Sequence, residues 1–314
     1  MLMSRIKTKN GTPISRLGFG AMQFGRTADA RSAQEMFEAC VAAGINHFDT
    51  AYSYNGGASE HMLGQILRAR GDDLIIGTKA PNDRPATADN LRAALDESRK
   101  RLGIDAVDIY YLHRFDAETP FEETFGTLAE MQSQGAIRYI GVSNFAAWQI
   151  MKAQAVCKVI DTQIDACQPM YNLVKRQVEV EILPACADQD ISVCPFSPLG
   201  GGLLTGKYTS GAEGRLREDK VYATRYGQPW MHETARDLAA LSQRMGIAPT
   251  TLAVAWVARN SAVTSTLISG RNVEQLQPSL DAMTFDLSED IYEEIARLSP
   301  KPTPATDRSE ETLP

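Results

Sequence analysis

The feature of this 314-residue chain that most constrains its fold is an alternation of short β-rich runs with longer helical patterns, which occurs eight times. Runs such as LGFG (17–20) are apolar throughout, which is typical of parallel strands covered on both faces. The first seven runs end 25 to 34 residues apart, near Gly20, Asp49, Lys79, His113, Ser143, Gln168 and Pro195. A strand-plus-helix unit of about 30 residues, repeated eight times, predicts an α/β fold of the (β/α)8 TIM-barrel class.

The barrel prediction extends over the whole chain as a single domain, 1–314, because α/β barrels of this size are common. Residues 1–16 are predicted to form an N-terminal β-hairpin that turns at Asn10-Gly11. Residues 300–314 are rich in proline and charge and are predicted to form an irregular C-terminal tail. Only the seventh unit is long, and it predicts an insertion loop after strand 7, followed by a helix at 250–260.

A doubly wound sheet is the alternative fold. It requires a glycine-rich fingerprint directly after the first strand. The segment GFGAMQ (18–23) supplies Gly18 and Gly20 but places Gln23 where the third glycine belongs. The barrel therefore agrees better with the sequence.

Charge and composition exclude several classes of partner. The net charge is −7 and there is no dense Lys/Arg cluster, whereas nucleic acids and anionic membranes require a basic surface. The segment MLMSRIKTKNG lacks the apolar core of a secretory signal, and no apolar run could span a bilayer. The five cysteines and four histidines show no metal-binding spacing. We therefore expect a cytoplasmic protein with a small-molecule partner, no metal and an undetermined oligomeric state.

Polar residues at the strand ends are the candidates for chemistry, because barrel active sites lie at the carboxyl ends of the strands. Asp49, Lys79 and His113 end the second, third and fourth runs, and Tyr54 follows five residues after Asp49. A lysine ammonium held by a carboxylate favours ionisation of a nearby phenol, so Tyr54 could act as a general acid toward a carbonyl oxygen. Taken singly, Asp49 could be a turn residue and Lys79 a solvated lysine. Their conjunction favours the catalytic interpretation.

The segment FDTAYSYNGGASEHMLG (48–64), with TK (78–79) and LH (112–113), resembles the signatures of the aldo-keto reductases, and the resemblance covers essentially the full chain. It implies that Asp49, Tyr54, Lys79 and His113 are catalytic. It also implies an oxidoreductase that transfers a hydride between NADP(H) and an aldehyde or ketone, or the corresponding alcohol or sugar hydroxyl. A non-catalytic NADPH-sensing subunit, similar to the β subunits of potassium channels, is the alternative.

Further segments resemble the cofactor-binding motifs of that family: GVSN (141–144), SPLGGGLLTGK (197–207) and SGRNVEQL (269–276). The resemblance implies cofactor contacts from Gly20, Met22, Asp49, Ser143, Asn144, Gln168, Phe196, Ser197, Leu199, Gly201, Lys207, Ser269, Arg271, Gln275 and Ser279. Arg271 favours NADP over NAD, because a guanidinium suits a 2′-phosphate. Ser269 stands in place of a common glycine and Ser279 in place of a common asparagine, and NAD therefore stays open.

The pocket for the substrate is predicted to have an apolar and aromatic rim. Its candidate residues are Met22, Phe24, Tyr52, Tyr54, His113, Phe115 and Trp230. The stretch from Gly201 to Lys207 also resembles an ATPase phosphate loop. That motif, however, requires Ser or Thr where this chain has Tyr208, so nucleotide hydrolysis is not expected.

Overall fold

Eight parallel strands form one sheet in the part of the chain that the structure, a computed structural model, describes: residues 4–68, 73–79, 83–210, 214–308 and 310. The strands are β1 (Leu17–Gly20), β2 (His47–Asp49), β3 (Ile75–Lys79), β4 (Val107–Leu112), β5 (Ile137–Ser143), β6 (Ala166–Gln168), β7 (Ser192–Val193) and β8 (Thr266–Ile268). Their order is β7-β6-β5-β4-β3-β2-β1-β8. Leu267 N donates to Pro195 O at 2.9 Å, and Thr264 N to Val193 O at 2.8 Å, which joins β8 to β7. The predicted TIM barrel is confirmed.

Helices form the outer layer. The described residues contain α1 (Ala30–Ala42), α2 (Ala58–Leu67), α3 (Ala88–Leu102), α4 (Phe121–Ser133), α5 (Ala147–Val159), α6 (Ile182–Asp188), α7 (Arg215–Glu218), α8 (Lys220–Tyr226), α9 (Pro229–Met245), α10 (Pro249–Arg259), α11 (Val273–Leu280) and α12 (Glu289–Ala296). Helix α1 begins where the Asp29 carboxylate accepts from Ser32 N, and α3 ends at Gly103, which takes a left-handed φ of 68°. Every helix in the described ranges is too short or too polar to cross a lipid bilayer.

The N-terminal hairpin closes the end of the barrel opposite the strand carboxyl ends. It consists of one antiparallel bridge between Lys7 and Pro13, with Gly11 in a left-handed turn conformation (φ 89°). Ile6 and Ile14 from the hairpin pack among buried residues inside the barrel, including Ile109. The hairpin therefore fills the bottom of the barrel with apolar side chains and leaves the other end for the site.

The insertion after β7 differs from the predicted loop because most of it is helical. It contains α7, α8 and α9 before the expected helix α10. The 17-residue α9 has Pro229 at its start and buries Met231, Leu238 and Leu241, which is the spacing of an amphipathic helix. Turn-rich flanking sequence obscured this pattern.

Some sequence predictions concern residues outside the described ranges. They are the first three residues of the hairpin, the end of the predicted helix 59–71 beyond residue 68, residues 211–213 of the insertion, and residues 309 and 311–314 of the tail.

Candidate active site

A cavity of about 470 Å³ opens where the carboxyl ends of the strands converge. Asp49 from the end of β2, Ser143 from β5 and Gln168 from β6 line it, together with residues after β7 and β8. Since the strands are parallel, their carboxyl ends meet at one face, and residues from distant parts of the chain therefore share this cavity. Its volume is in the range of small-molecule and cofactor sites, about 300 to 1,000 Å³.

A buried ion pair lies at the floor of the cavity. Asp49 and Lys79 are 2% and 1% exposed, and Lys79 Nζ donates to Asp49 Oδ1 and, at 2.6 Å, to Thr50 O. Gln168 Nε2 donates to Asp49 Oδ2 at 2.9 Å. Both carboxylate oxygens therefore accept a hydrogen bond, as a buried charge requires. The arrangement fixes the Lys79 ammonium in one place.

The Tyr54 ring stands beside this pair. Lys79 Nζ lies 5.2 Å from the centroid of the Tyr54 ring, and the ring meets His113 edge to face, with centroids 5.8 Å apart. Burial raises the pKa of Tyr54, and Lys79 opposes that shift without cancelling it. The sequence predicts that the ammonium lowers the pKa of the phenol. The direction is the reverse in the folded chain because loss of solvent outweighs the neighbouring charge. Tyr54 therefore holds its proton at neutral pH.

The pKa of Lys79 is raised. Burial by itself lowers the pKa of a lysine, but Asp49 and then Tyr54 favour the charged form and outweigh burial. Lys79 is therefore a stable ammonium at neutral pH, held by one carboxylate and close to two phenol rings, those of Tyr54 and Tyr111, whose centroids are 5.2 and 5.7 Å away.

His113 contributes a neutral imidazole. Burial lowers its pKa to about 3, with Lys79 and Arg114 acting in the same direction. Its Nδ1 is buried without a hydrogen-bond partner among the described residues, while its backbone oxygen accepts from Asn144 Nδ2 at 2.9 Å. A neutral imidazole can orient a carbonyl oxygen without competing with Tyr54 as the acid.

We expect the imidazole ¹⁵N shifts of His113, assigned by comparison with a His113→Asn variant, to report a neutral ring from pH 8 down to pH 5. Titration of His113 near 6.5 would contradict its assignment as a neutral orienting group.

The lowered pKa of His113 also makes the stability of the fold depend on pH. The unfolded chain takes up a proton near pH 6.5, whereas the folded chain does so only near pH 3. This contribution to stability is therefore complete above pH 6.5 and is lost as the pH falls toward 3.

A second buried ion pair lies beneath the loop that carries Tyr54. The Glu60 carboxylate is fully buried and accepts from Arg101 Nη1 at 3.2 Å and from Thr78 Oγ1 at 2.7 Å. Arg101 Nη1 also donates to Tyr52 O at 2.9 Å, and its guanidinium lies 4.5 Å from the centroid of the Tyr52 ring. Because Thr78 belongs to β3 and Tyr52 to the loop after β2, this pair joins two of the segments that form the site.

The glycine-rich loop after β7 forms one wall of the cavity. Its backbone is left-handed at Ser197, Gly200, Gly201 and Gly202, with φ values of 59°, 56°, 66° and 95°. A Cβ on Gly201 would come within 2.7 Å of Tyr222 Cδ1. The loop therefore needs glycine for its conformation and for the close approach of α8, and it lets a ligand contact the backbone directly.

Arg271 stands at the far end of the cavity, after β8. It lines the cavity and makes no hydrogen bond or ion pair with any described residue. Helix α11 begins two residues later, capped by Asn272 Oδ1, which accepts from Gln275 N at 2.9 Å. An unpaired guanidinium beside the positive end of a helix suits an anionic group.

Almost all of the predicted cofactor residues line this one cavity. They are Gly20, Met22, Asp49, Ser143, Asn144, Gln168, Phe196, Ser197, Leu199, Gly201, Lys207, Ser269, Arg271 and Gln275. The exception is Ser279, which is fully buried and does not line the cavity. It belongs to the last turn of α11, on a face that packs into the fold. Ser269 Oγ donates to Gly20 O at 2.8 Å and thereby joins β8 to β1.

The predicted substrate residues divide into three groups. Met22, Tyr54 and His113 line the main cavity. Phe115 lines a neighbouring cavity of about 430 Å³, which shares His113 with the first and contains charged residues such as Arg114 and Asp116. Charged residues therefore adjoin the predicted apolar and aromatic rim on this side.

Phe24, Tyr52 and Trp230 line neither of these two cavities. Phe24 is fully buried against Phe19, with ring centroids 5.4 Å apart. Tyr52 turns toward Arg101, and Trp230 packs against the core at the start of α9. In each case an apolar or cationic partner from another element draws the ring away from the cavity.

Sequence reasoning missed several lining residues: Gln23, Pro198, Gly202, Thr205, Tyr222, Thr250, Leu267, Ile268 and Gly270. Most lie within or beside the motifs already quoted, so counting each whole motif as a wall of the site could have found them. Tyr222 and Thr250 lie in the helical part of the insertion, where no local signal indicates which side faces the cavity.

Several known proteins are similar to this chain over most of its length. The model of the Aldo/keto reductase family matches residues 16–300. A probable voltage-gated potassium channel subunit beta from Oryza sativa subsp. japonica is 33% identical over 293 residues, 88% of this chain and 89% of that protein. The uncharacterized oxidoreductase YrpG of Bacillus subtilis (strain 168) is 31% identical, over 94% of this chain and 95% of that protein. The L-glyceraldehyde 3-phosphate reductase of Escherichia coli (strain K12) is 31% identical, over 90% of this chain and 88% of that protein.

Proposed function

The chain belongs to the aldo/keto reductase family, and on that premise we propose that it transfers a hydride between NADP(H) and an aldehyde or ketone, or the corresponding alcohol or sugar hydroxyl. Family membership supports an oxidoreductase. The observation that carries the finer proposal is the convergence of Tyr54, His113 and the Asp49–Lys79 pair on a cavity that also contains a glycine-rich wall and an unpaired arginine.

The residues present fit a dinucleotide. The glycine-rich loop offers backbone without side chains where a pyrophosphate would lie, and Lys207 lines the same stretch of the cavity. Asn144 and Gln168 bring amide oxygens, which can accept from a carboxamide, to the cavity wall, while the Ser143 hydroxyl and the Asn144 N–H groups bond within the protein. Arg271 favours the 2′-phosphate of NADP. When bound, NADPH supplies the hydride.

The chain's own groups handle the proton. Tyr54 keeps its proton until the carbonyl oxygen gains negative charge, and it then donates the proton to that oxygen. The adjacent Lys79 ammonium stabilises the phenolate left behind, and Asp49 keeps that ammonium charged and in place. Neutral His113 donates a hydrogen bond to the same oxygen and orients the carbonyl.

The proposal is tested by titrating the purified protein with NADPH and with NADH, following tryptophan fluorescence, and by assaying a panel of sugars, aromatic aldehydes and diketones with the tighter-binding cofactor. We expect tighter binding of NADPH and turnover of at least one carbonyl. If neither nucleotide binds, the cofactor site proposed here is wrong.

An Arg271→Ala variant should lose affinity for NADPH by roughly 10- to 100-fold, the effect of removing charge-assisted hydrogen bonds to a phosphate. Its affinity for NADH should change by less than about twofold, because NADH has no 2′-phosphate. The two dissociation constants measured by fluorescence titration check this, with Arg26→Ala, on the surface outside the cavity, as a control. An equal loss of affinity for both cofactors would mean that Arg271 does not recognise the 2′-phosphate.

A cofactor-sensing subunit is the second candidate, favoured by the 33% identity to a probable potassium channel subunit beta over nearly the whole chain. The two candidates differ in turnover. Tight NADPH binding without reduction of any carbonyl, together with recovery of a stoichiometric membrane partner in a pull-down, would favour the sensor.

A further inference from the structure

We propose that Asn55 is a positioning residue for Tyr54. Its side chain fixes the loop after β2 against the loop after β1, so that the Tyr54 phenol is held at the Lys79 ammonium. This inference rests on the function proposed above, in which Tyr54 exchanges the proton.

The backbone directly after Tyr54 is unusual. Asn55, Gly56 and Gly57 are consecutive left-handed residues, with φ values of 54°, 64° and 93°. Glycine adopts this conformation without steric penalty, and asparagine is one of the few side chains that tolerates it. A residue chosen only for its backbone would be a third glycine. Asparagine can therefore occupy this position, and unlike glycine it adds a side chain that can form hydrogen bonds.

The Asn55 amide is engaged on both of its N–H bonds. Its Nδ2 donates to Met22 O at 2.9 Å and to Phe24 O at 2.8 Å. Met22 lines the cavity and Phe24 is fully buried in the core. The side chain adjoining Tyr54 in sequence is therefore anchored both to the cavity wall and to the core.

The two loops are in close contact beyond this anchor. A Cβ on Gly25 would come within 2.6 Å of Ala58 Cβ, and Ser59 Oγ donates to Ala21 O at 2.7 Å. These contacts fix the start of α2, which follows the left-handed segment. In the segment between Tyr54 and α2, Asn55 provides the side-chain hydrogen bonds to the first loop, because Gly56 and Gly57 have no side chains.

The expected consequence is kinetic. Proton transfer depends steeply on geometry, and a displacement of about 1 Å at a reacting group can lower the rate by about 100-fold. Without the amide, the segment after Tyr54 loses its hydrogen bonds to the first loop, although Arg101 still packs against Gly57, and glycine-rich backbone has many accessible conformations. Tyr54 would then spend less time beside Lys79 and His113.

Two variants separate the side chain from the backbone. Asn55→Gly retains access to the left-handed conformation and removes both hydrogen bonds. Asn55→Asp retains the shape but presents a carboxylate oxygen to two carbonyl oxygens, which cannot donate to it. Asp161→Gly is the matched control, since Asp161 is also left-handed (φ 53°), exposed and outside the cavity.

The readout is the Tyr54 ¹³Cζ resonance in protein labelled at tyrosine and assigned with Tyr54→Phe, followed over pH, alongside kcat, KM, the Kd for NADPH and the thermal unfolding temperature. In Asn55→Gly we expect the Tyr54 signal to move and its pKa to fall toward the ordinary value, because a looser loop admits water. In Asn55→Asp the added carboxylate charge opposes that fall, so the direction of the pKa is judged from Asn55→Gly. We expect kcat to fall roughly 10- to 100-fold, with Kd for NADPH within about twofold, and Asp161→Gly to leave all of these unchanged.

An unchanged Tyr54 resonance and pKa in folded Asn55→Gly would overturn the proposal, whatever happens to kcat, because any loss of rate would then not act through Tyr54. If the wild-type protein reduces no carbonyl, the proposed function fails, but the Tyr54 resonance still decides the role of Asn55. If a variant has a lower unfolding temperature than the control, both proteins are measured at a temperature where their unfolding curves show that they are folded.

Discussion

Replacing Tyr54 by phenylalanine is expected to lower kcat for carbonyl reduction by about 10²- to 10⁴-fold, the usual contribution of a positioned general acid. The substitution removes one hydroxyl and leaves the ring that meets His113 edge to face. The site then has no group in position to protonate the carbonyl oxygen as it gains charge, because His113 is neutral and Lys79 is committed to Asp49 and Thr50. Affinity for NADPH should change by less than about twofold.

Steady-state kinetics and fluorescence titration on the same preparation check this expectation. Tyr139→Phe is a suitable control, since its hydroxyl accepts from Lys7 N at 3.2 Å at the hairpin end of the barrel, away from the cavity. A Tyr54→Phe enzyme that keeps its rate, or that loses NADPH binding to the same extent as rate, would mean that Tyr54 is not the proton donor.

Replacing Arg101 by leucine is expected to lower the free energy of unfolding by about 3 kcal/mol, because it leaves a buried carboxylate without its cation. Glu60 is fully buried, and the Arg101 side chain is only 13% exposed. Thr78 still donates to Glu60, but one hydroxyl does not compensate a buried charge. The variant should also lose activity, since Arg101 holds the Tyr52 carbonyl in the loop that carries Tyr54.

Urea unfolding followed by circular dichroism measures this effect. Helix α3 also carries the control, Arg92→Leu, which breaks an ion pair with Glu130 whose side chains are 47% and 60% exposed. Exposed pairs contribute about 0 to 1 kcal/mol, so the control should remain close to the wild type. If the free energy of unfolding falls by a similar amount in the two variants, the burial of Glu60 is not the cause of the decrease.

The strands and their ends could be predicted because their signals are local. An apolar run that stops at Asp49, Lys79 or His113 can be recognised in the sequence. Parallel strands bring such ends to one face of the barrel. Helix α9 could not be predicted with the same ease. Its apolar spacing follows a glycine-rich stretch that favours a loop, and only packing against the core makes its 17 residues helical.

Orientation within short turns was also beyond the sequence. Phe24 and Ser279 stand close in sequence to residues that line the cavity, but both point into the core. The short loop that carries Phe24 has no period from which a buried face can be read, and the eight-residue helix α11 that carries Ser279 is short, so which side faces the cavity depends on neighbours from other parts of the chain.

The sequence by itself determined the barrel, which depends on residue type and spacing, and its resemblance to the aldo-keto reductases predicted the cavity-lining motifs and the four residues proposed for catalysis. Only the tertiary structure decided how those residues act on each other. Gln168 reaches Asp49 across 119 residues of sequence, and Asn55 reaches the loop after β1. The direction of the Tyr54 pKa likewise depends on how much solvent the fold removes, which no local pattern encodes, because desolvation is a property of the assembled surroundings.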